Sequence, residues 1–323
     1  MRKLSFMFDL RRVRTLREVA SRGTISAAAD ALHLTPSAAS QQLAALEKEV
    51  GRPLLEPAGR SVRLTPAARL LLRRADSIFA ELERLDADFA AAERGAAGTL
   101  RVGSFSTGVT ALVAPAAAAV LAQRPLLDLH VAEDEPGRGL DLLDQHELDL
   151  VISMESIHAP RPDDPRYVRE DLLDDPMDAV LPAEHILLDG RAGAADPVPL
   201  AALALEPFVM PPEDWSCADV LRGGCQVAGF TPRAAHRAGD WAAGLALVRA
   251  GLGVAMLPRM AEIVAPEGVV VVPVDPAPTR HIIAITRRGG QDHPVVSAML
   301  AELRAVAARR TRPPEPVAAG CVA

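Results

Sequence analysis

Cysteine is scarce in this chain of 323 residues: Cys217, Cys225 and Cys321 are an odd number and lack metal-ligand spacing. That excludes a disulfide scaffold or a zinc module and fits a reducing cytoplasm. Cys217 and Cys225 would stand about 12 Å apart on a continuous helix, so redox sensing through a bridge would need a rearrangement. Long apolar runs are missing too. Met1 to Asp9 has basic residues but no apolar segment, so no secretory signal is expected. The longest candidate span, Ala111 to Ala122, is too short and contains Pro115, so no membrane partner is expected. There is no phosphate-binding glycine loop, no HExxH and no GxSxG, and the eight histidines are scattered. His130, His146 and His236 read as strand-end or surface residues. No enzyme, metal or cofactor is therefore expected.

What is present is an ordinary globular composition, 49 % hydrophobic and 24 % charged, at a length that suits two or three domains. Its charge is unevenly spread. From Met1 to Ala75 fourteen Lys and Arg stand against six Asp and Glu, a net of +8; the whole chain is −7, so residues 76–323 carry −15. A basic head on an acidic body suits a nucleic-acid-binding domain joined to something else.

Thr24 to Thr65 spells a helix-turn-helix and a short basic hairpin. Thr24 caps a helix with a small face (Ala27, Ala28, Ala29, Ala31), and Leu32-His33-Leu34 makes the turn. Thr35 caps a second helix with Pro36 at its first position, where the missing N–H costs nothing. Ala39, Leu43 and Leu46 form one buried stripe, which leaves Ser37, Ser40, Gln41 and Ala44 outward, short and uncharged, suited to base edges in a major groove. Gly59 to Thr65 reads as a hairpin with Arg60 and Arg63 exposed for phosphate or the minor groove. The alternative is an Ala-rich helical hairpin of some core.

Phe8-Asp9-Leu10-Arg11, Gly23 to Ala29, Leu32 to Leu43, Leu46-Glu47, Gly51-Arg52-Pro53-Leu54 and Arg60 to Thr65 together resemble the N-terminal domain of LysR-type transcriptional regulators, and the match runs to about Arg309. Pro36 stands where that family has Gln, Pro57 where it often has Arg, and Ala68 where Gly is common; these departures bear on the operator sequence. The resemblance implies a winged helix-turn-helix over 8–65 that binds a double-stranded DNA operator through Thr35, Pro36, Ser37, Ser40, Gln41, Arg60 and Arg63. RNA polymerase is a further partner left open.

A long helix follows. Pro66 opens it, and Leu70, Ile78, Leu82, Leu85 and Phe89 recur at helical spacing up to Ala92, a stripe too apolar for water. It can pair with its twin or pack on its own domain. By resemblance it is the antiparallel dimerisation helix of a linker over 66–94, and Gly95 to Gly98 reads as a hinge.

From Thr99 short apolar runs alternate with helical ones, which predicts a largely parallel sheet. Leu100–Val102, Leu127–Ala132, Leu148–Ile152, Ala179–Leu181, Phe208–Met210, Gly253–Leu257, Val269–Val274 and His281–Thr286 read as strands. Leu112–Gln123, Leu140–His146, Ala218–Ala228, Ala242–Ala250 and Pro294–Ala308 read as helices. The fold class is α/β: a mainly α head, a linker helix and, by resemblance carried on Ala228 to Arg233 and Leu247 to Pro258, a two-lobed α/β effector domain over 99–309 similar to type II periplasmic binding proteins. Lobe I covers about 99–168 and 278–309, lobe II about 169–277, and 310–323 reads as a disordered tail.

Ligands of open α/β sheets bind beyond the carboxyl ends of strands. The segments there carry Ser104, Phe105, Ser106, Thr107, Ser153, Glu155, Glu213, Asp214 and Trp215. Hydroxyls at a helix start hold a carboxylate, whereas Glu155, Glu213 and Asp214 repel one, so the expected effector has an anionic and a cationic end, an amino acid or related amine. The alternative is that the three acids face solvent. The function expected is a cytoplasmic, nucleoid-associated regulator, homodimeric through the linker and homotetrameric through its effector domains. A cytoplasmic solute-binding protein without a regulatory role is the alternative.

Overall fold

The computed structural model describes residues 8–59, 61–92, 98–189 and 196–311, which form two compact units.

The first unit comprises the residues up to Phe89 together with Arg288–Gly290. It holds α1 (Leu10–Arg22), α2 (Ile25–Ala31), α3 (Pro36–Val50), strands β1 (Leu55–Ala58) and β2 (Ser61–Leu64), and α4 (Pro66–Ala92). Each start has its cap. The Asp9, Thr24 and Thr35 side chains accept from Arg11, Ala27 and Ala38 N–H, and Pro36 opens α3. His33 takes the tight turn between α2 and α3 with φ +52°. Val13, Leu16, Ala28, Leu43, Leu46 and Leu54 form the core. Glu47 Oε1 accepts from Leu54 N–H at 2.7 Å, fixing the chain after α3, and Thr65 caps α4 while donating to the Pro53 carbonyl.

The second unit comprises residues from Ala90 to Arg287 and from Gln291 onward. In chain order it contains β3 (Gly98–Ser104), α5 (Ser106–Gly108), a π turn (Val109–Val113), α6 (Ala114–Gln123), β4 (Leu127–Glu133), α7 (Pro136–Asp144), β5 (Leu150–Met154) and β6 (Tyr167–Pro182). Then come β7 (Val198–Pro199), β8 (Pro207–Met210), α8 (Ser216–Val227), β9 (Arg233–Arg237), α9 (Trp241–Arg249), β10 (Ala255–Pro258), β11 (Val269–Val272), β12 (Val274–Asp275), β13 (Thr279–Arg287) and α10 (Pro294–Thr311).

The main sheet has the order β10-β6-β13-β5-β3-β4, with β11 also on β6. It is mixed, which corrects the largely parallel expectation: β3 runs parallel to β4 and β5, but β13, β10 and β11 are antiparallel to their neighbours. The cause is β6. Only Ala179–Leu181 reads as a strand in the sequence, yet sixteen residues are extended. Tyr167 to Pro176 pairs with β13, and Met177 to Pro182 pairs with β10 and β11. One core gathers β3, the helix at 106–123, β5, β13 and α10; a second gathers the far end of β6, β8 and α8. Strand β6 runs from one to the other.

Residues Ser106–Gln123 form one 18-residue helix with mean hydropathy 1.4, longer than the expected Leu112–Gln123. Leu112, Ala116 and Val120 are buried in the first core, so in the folded chain it is a core helix. The π turn before Pro115 accommodates the missing N–H. Gly98 opens β3, and the other residues of the expected hinge lie outside the described residues, as do Cys321 and 312–323. Helix α10 runs to Thr311, two residues into the expected tail.

Candidate functional site

Two surfaces carry the chemistry, one in each unit. On the first, the stripe Ala39, Leu43 and Leu46 is buried and Thr35, Pro36, Ser37, Ser40, Gln41 and Ala44 are exposed. The adjacent Gln42 turns inward and its carbonyl accepts from the Thr15 hydroxyl. Ser40 donates to the Pro36 carbonyl at 2.8 Å, so toward solvent its hydroxyl offers lone pairs. The hairpin is longer than expected, with Glu56 opposite Arg63 and Ala58 opposite Ser61. Arg63 is exposed, and Arg60 lies outside the described residues.

Helix α4 shows its expected stripe uncovered. Leu70, Ile78, Leu82, Leu85 and Phe89 are 45–63 % exposed, whereas the buried side chains are alanines 68, 75, 80 and 87. Five large apolar side chains on one helix are far more than a surface helix usually shows.

In the second unit the polar site centres on Arg280, which sequence reasoning missed. Its guanidinium is 2 % exposed, bonds Asp175 through Nε at 3.0 Å and through Nη2, donates from Nη2 to Thr107 Oγ1 at 3.0 Å, and lies over the Phe105 ring. The buried Cys217 thiol lies close enough to feel its charge. Glu135, half-buried, feels both Arg280 and Asp214. Burial first, then repulsion from Asp214, pushes its carboxyl up to about 7, against the pull of Arg280. Burial raises the Cys217 thiol above its ordinary range, Arg280 opposing, and lifts Cys225 to about 11.

The expected ligand residues divide. Thr107 and Asp214 meet this cluster, and Phe105 supplies its apolar face. Ser106 is exposed at the helix start, and Trp215 is half-buried over the Gly239 backbone. Ser104 and Ser153 are buried, with hydroxyls turned to the Phe105 and Met154 carbonyls rather than outward. Two of the three acids are already neutralised: Glu155 pairs with Arg169, and Glu213 with Arg237. The acids beside the cluster are Asp214 and Glu135.

The description "Bacterial regulatory helix-turn-helix protein, lysR family" matches residues 10–69, and "LysR substrate binding domain" matches residues 93–308. The chain belongs to the LysR family of bacterial transcriptional regulators. It is a DNA-binding regulator with an effector-binding domain. Among its relatives, a probable hydrogen peroxide-inducible genes activator of Streptomyces viridosporus is 32 % identical over 94 % of this chain and 96 % of that protein. The C-terminal domain of a probable LysR family regulator from Rhodococcus sp. RHA1 is 27 % identical, with a TM-score of 0.54 over 64 % of this chain and 98 % of that one. Full-length BenM, 21 % identical, shares the fold with a TM-score of 0.59 over 95 % of this chain and 100 % of that one.

In this LysR-type regulator Glu135 was within reach of sequence reasoning, because it directly follows strand β4, as Ser106 follows β3. Arg280 and Asp175 were not. Arg280 is the second residue of β13 and Asp175 lies in the middle of β6, so neither follows the carboxyl end of a strand, and nothing local marks them as buried partners.

Proposed function

We propose that this regulator reads its operator with α3 and the β1–β2 wing, pairs with a second copy through α4, and responds to an effector held at the Thr107–Glu135–Asp214–Arg280 cluster. Domain limits of 8–65, 66–94 and 99–309, the latter in two lobes, organise this division of labour. Two such dimers joined by their effector domains make the tetramer, so that a change between lobes alters head spacing and DNA bending. It works in the cytoplasm on the nucleoid, and it catalyses nothing.

The effector reading rests on one observation: a buried cation and a hydroxyl at a helix start lie beside two carboxyls, one of them close to half-ionised at neutral pH. An amino acid or related amine supplies the complementary ends. Its carboxylate meets Ser106, Thr107 and the helix start, and its ammonium meets Glu135 and Asp214. Thermal-shift screening of the full chain with amino acids, amines, dicarboxylates and aromatic acids tests it. Stabilisation by zwitterions that disappears in Glu135→Gln supports the reading, and stabilisation confined to anions contradicts it.

A second reading has its own observation. Cys217 lies within the electrostatic reach of Arg280, and the Streptomyces relative is named for hydrogen peroxide. Burial and a raised pKa oppose a reactive thiolate there, and Cys225, on the same helix, is buried as well. Mass spectrometry after peroxide treatment decides between them: a gain of oxygen confined to Cys217, with altered operator binding, would replace the amine reading.

A further inference from the structure

Away from the Arg280 cluster, the second unit holds a cavity of about 610 Å³ where the crossing strand β6, the turn after β10, the start of α6 and the end of α10 meet. Its size is that of a small-molecule site. Ala111, Leu173, Met260 and Val306 give it apolar walls.

The charges on its rim decide what it suits. Arg259 is bound twice by Asp178, at 2.9 and 2.6 Å. Arg310 donates to Glu262 at 3.0 Å and to the Ala111 carbonyl at 3.0 Å. Asp174 pairs with His281, and Asp175 with Arg280. Asp174 thus has a hydrogen-bond partner and the other acids have guanidinium partners, while among the described residues Arg309, exposed at the mouth, is the lining guanidinium with no carboxylate partner. Apolar walls beside a guanidinium that has no carboxylate partner are complementary to a monocarboxylate with an apolar body.

We infer that this cavity is a second ligand site, separate from the effector cluster, for a small aliphatic or aromatic monocarboxylate whose head pairs with Arg309 and whose body lies on Met260 and Val306. Its position gives such binding a route to the effector cluster. Asp175 Oδ1 accepts the Met260 N–H at 2.7 Å on the cavity wall, while its other oxygen holds Arg280, which donates to Thr107. A ligand that displaces Met260 moves the carboxylate that positions Arg280.

The test is calorimetric titration of the full-length protein with sodium hexanoate, hexanol and hexylamine at neutral pH, and of its Arg309→Glu, Arg309→Lys and Thr107→Val variants. The inference expects saturable hexanoate binding, at least about tenfold weaker binding of hexanol, and none of hexylamine. Arg309→Glu should weaken hexanoate by about tenfold or more, with Lys restoring part of it. Arg309 is exposed, so an unchanged melting temperature will show that the variant is folded. Absence of saturable hexanoate binding, equal affinity for hexanol, or a loss caused by Thr107→Val and not by Arg309→Glu each overturns it.

Discussion

Arg280 and Asp175 face each other directly across the β13–β6 ladder, both 2 % exposed, joined by an Nε–Oδ2 bond of 3.0 Å where β6 passes from one core to the other. A buried pair is weak evidence for stability as a pair, but removing one member strands the other. Arg280→Met should therefore cost about 3–5 kcal/mol in urea unfolding. The double variant Arg280→Met/Asp175→Leu should recover most of that. Recovery is incomplete because the Met260 N–H then loses its acceptor. A double variant no more stable than the single one would mean that the pair is not the reason both groups are tolerated there.

Glu135 gives a pH signature. Its folded pKa of about 7 lies above the ordinary carboxylate range, so the folded state keeps a proton that the unfolded state has released. Its contribution is neutral below the unfolded value and becomes increasingly destabilising as pH rises to about 7, then stays constant. Glu135→Gln should leave the melting temperature nearly unchanged at about pH 4.5 and raise it at about pH 8. A variant that melts in parallel with the parent at both values would place Glu135 in open solvent.

The uncovered stripe of α4 predicts a dimer. Leu82→Asp places a charge where a partner helix should lie, at a cost of several kcal/mol, so the protein should elute as a smaller species and bind its operator poorly. Unchanged size with tight operator binding would mean that the stripe has no partner helix.

In the head, Gln41→Ala should cost about 1–3 kcal/mol on the specific site and relax base preference, because an amide can bond adenine twice. Arg63→Ala should weaken specific and random DNA alike and reduce the salt slope by about one unit. If Gln41→Ala left discrimination unchanged, α3 would not be the base-reading element.

The head was legible because its signals are local. Caps at Thr24 and Thr35, Pro36 and the Ala39–Leu43–Leu46 stripe each fix a neighbour within four residues. The second unit was legible only where hydropathy marks a strand. Tyr167 to Pro176 is acidic and half-exposed, so its extended form comes from pairing with β13, a partner more than a hundred residues away. Strand β9, Arg233–Arg237, is mostly exposed and among the described residues pairs with β8 alone, and it left no hydropathy trace either. The effector cluster failed for the same reason. Rules about strand ends bring out Thr107 and Asp214, but Arg280 is placed by strand register alone.

The most direct test is an electrophoretic mobility shift of the full-length protein on fragments of the region adjoining its own gene, against excess random DNA. A shift of one fragment that survives the competitor, and that in Gln41→Ala is weakened and more readily competed by random DNA, is the result expected of an operator-reading regulator. Equal loss of every shifted species to random DNA, or no shift at all, would contradict it.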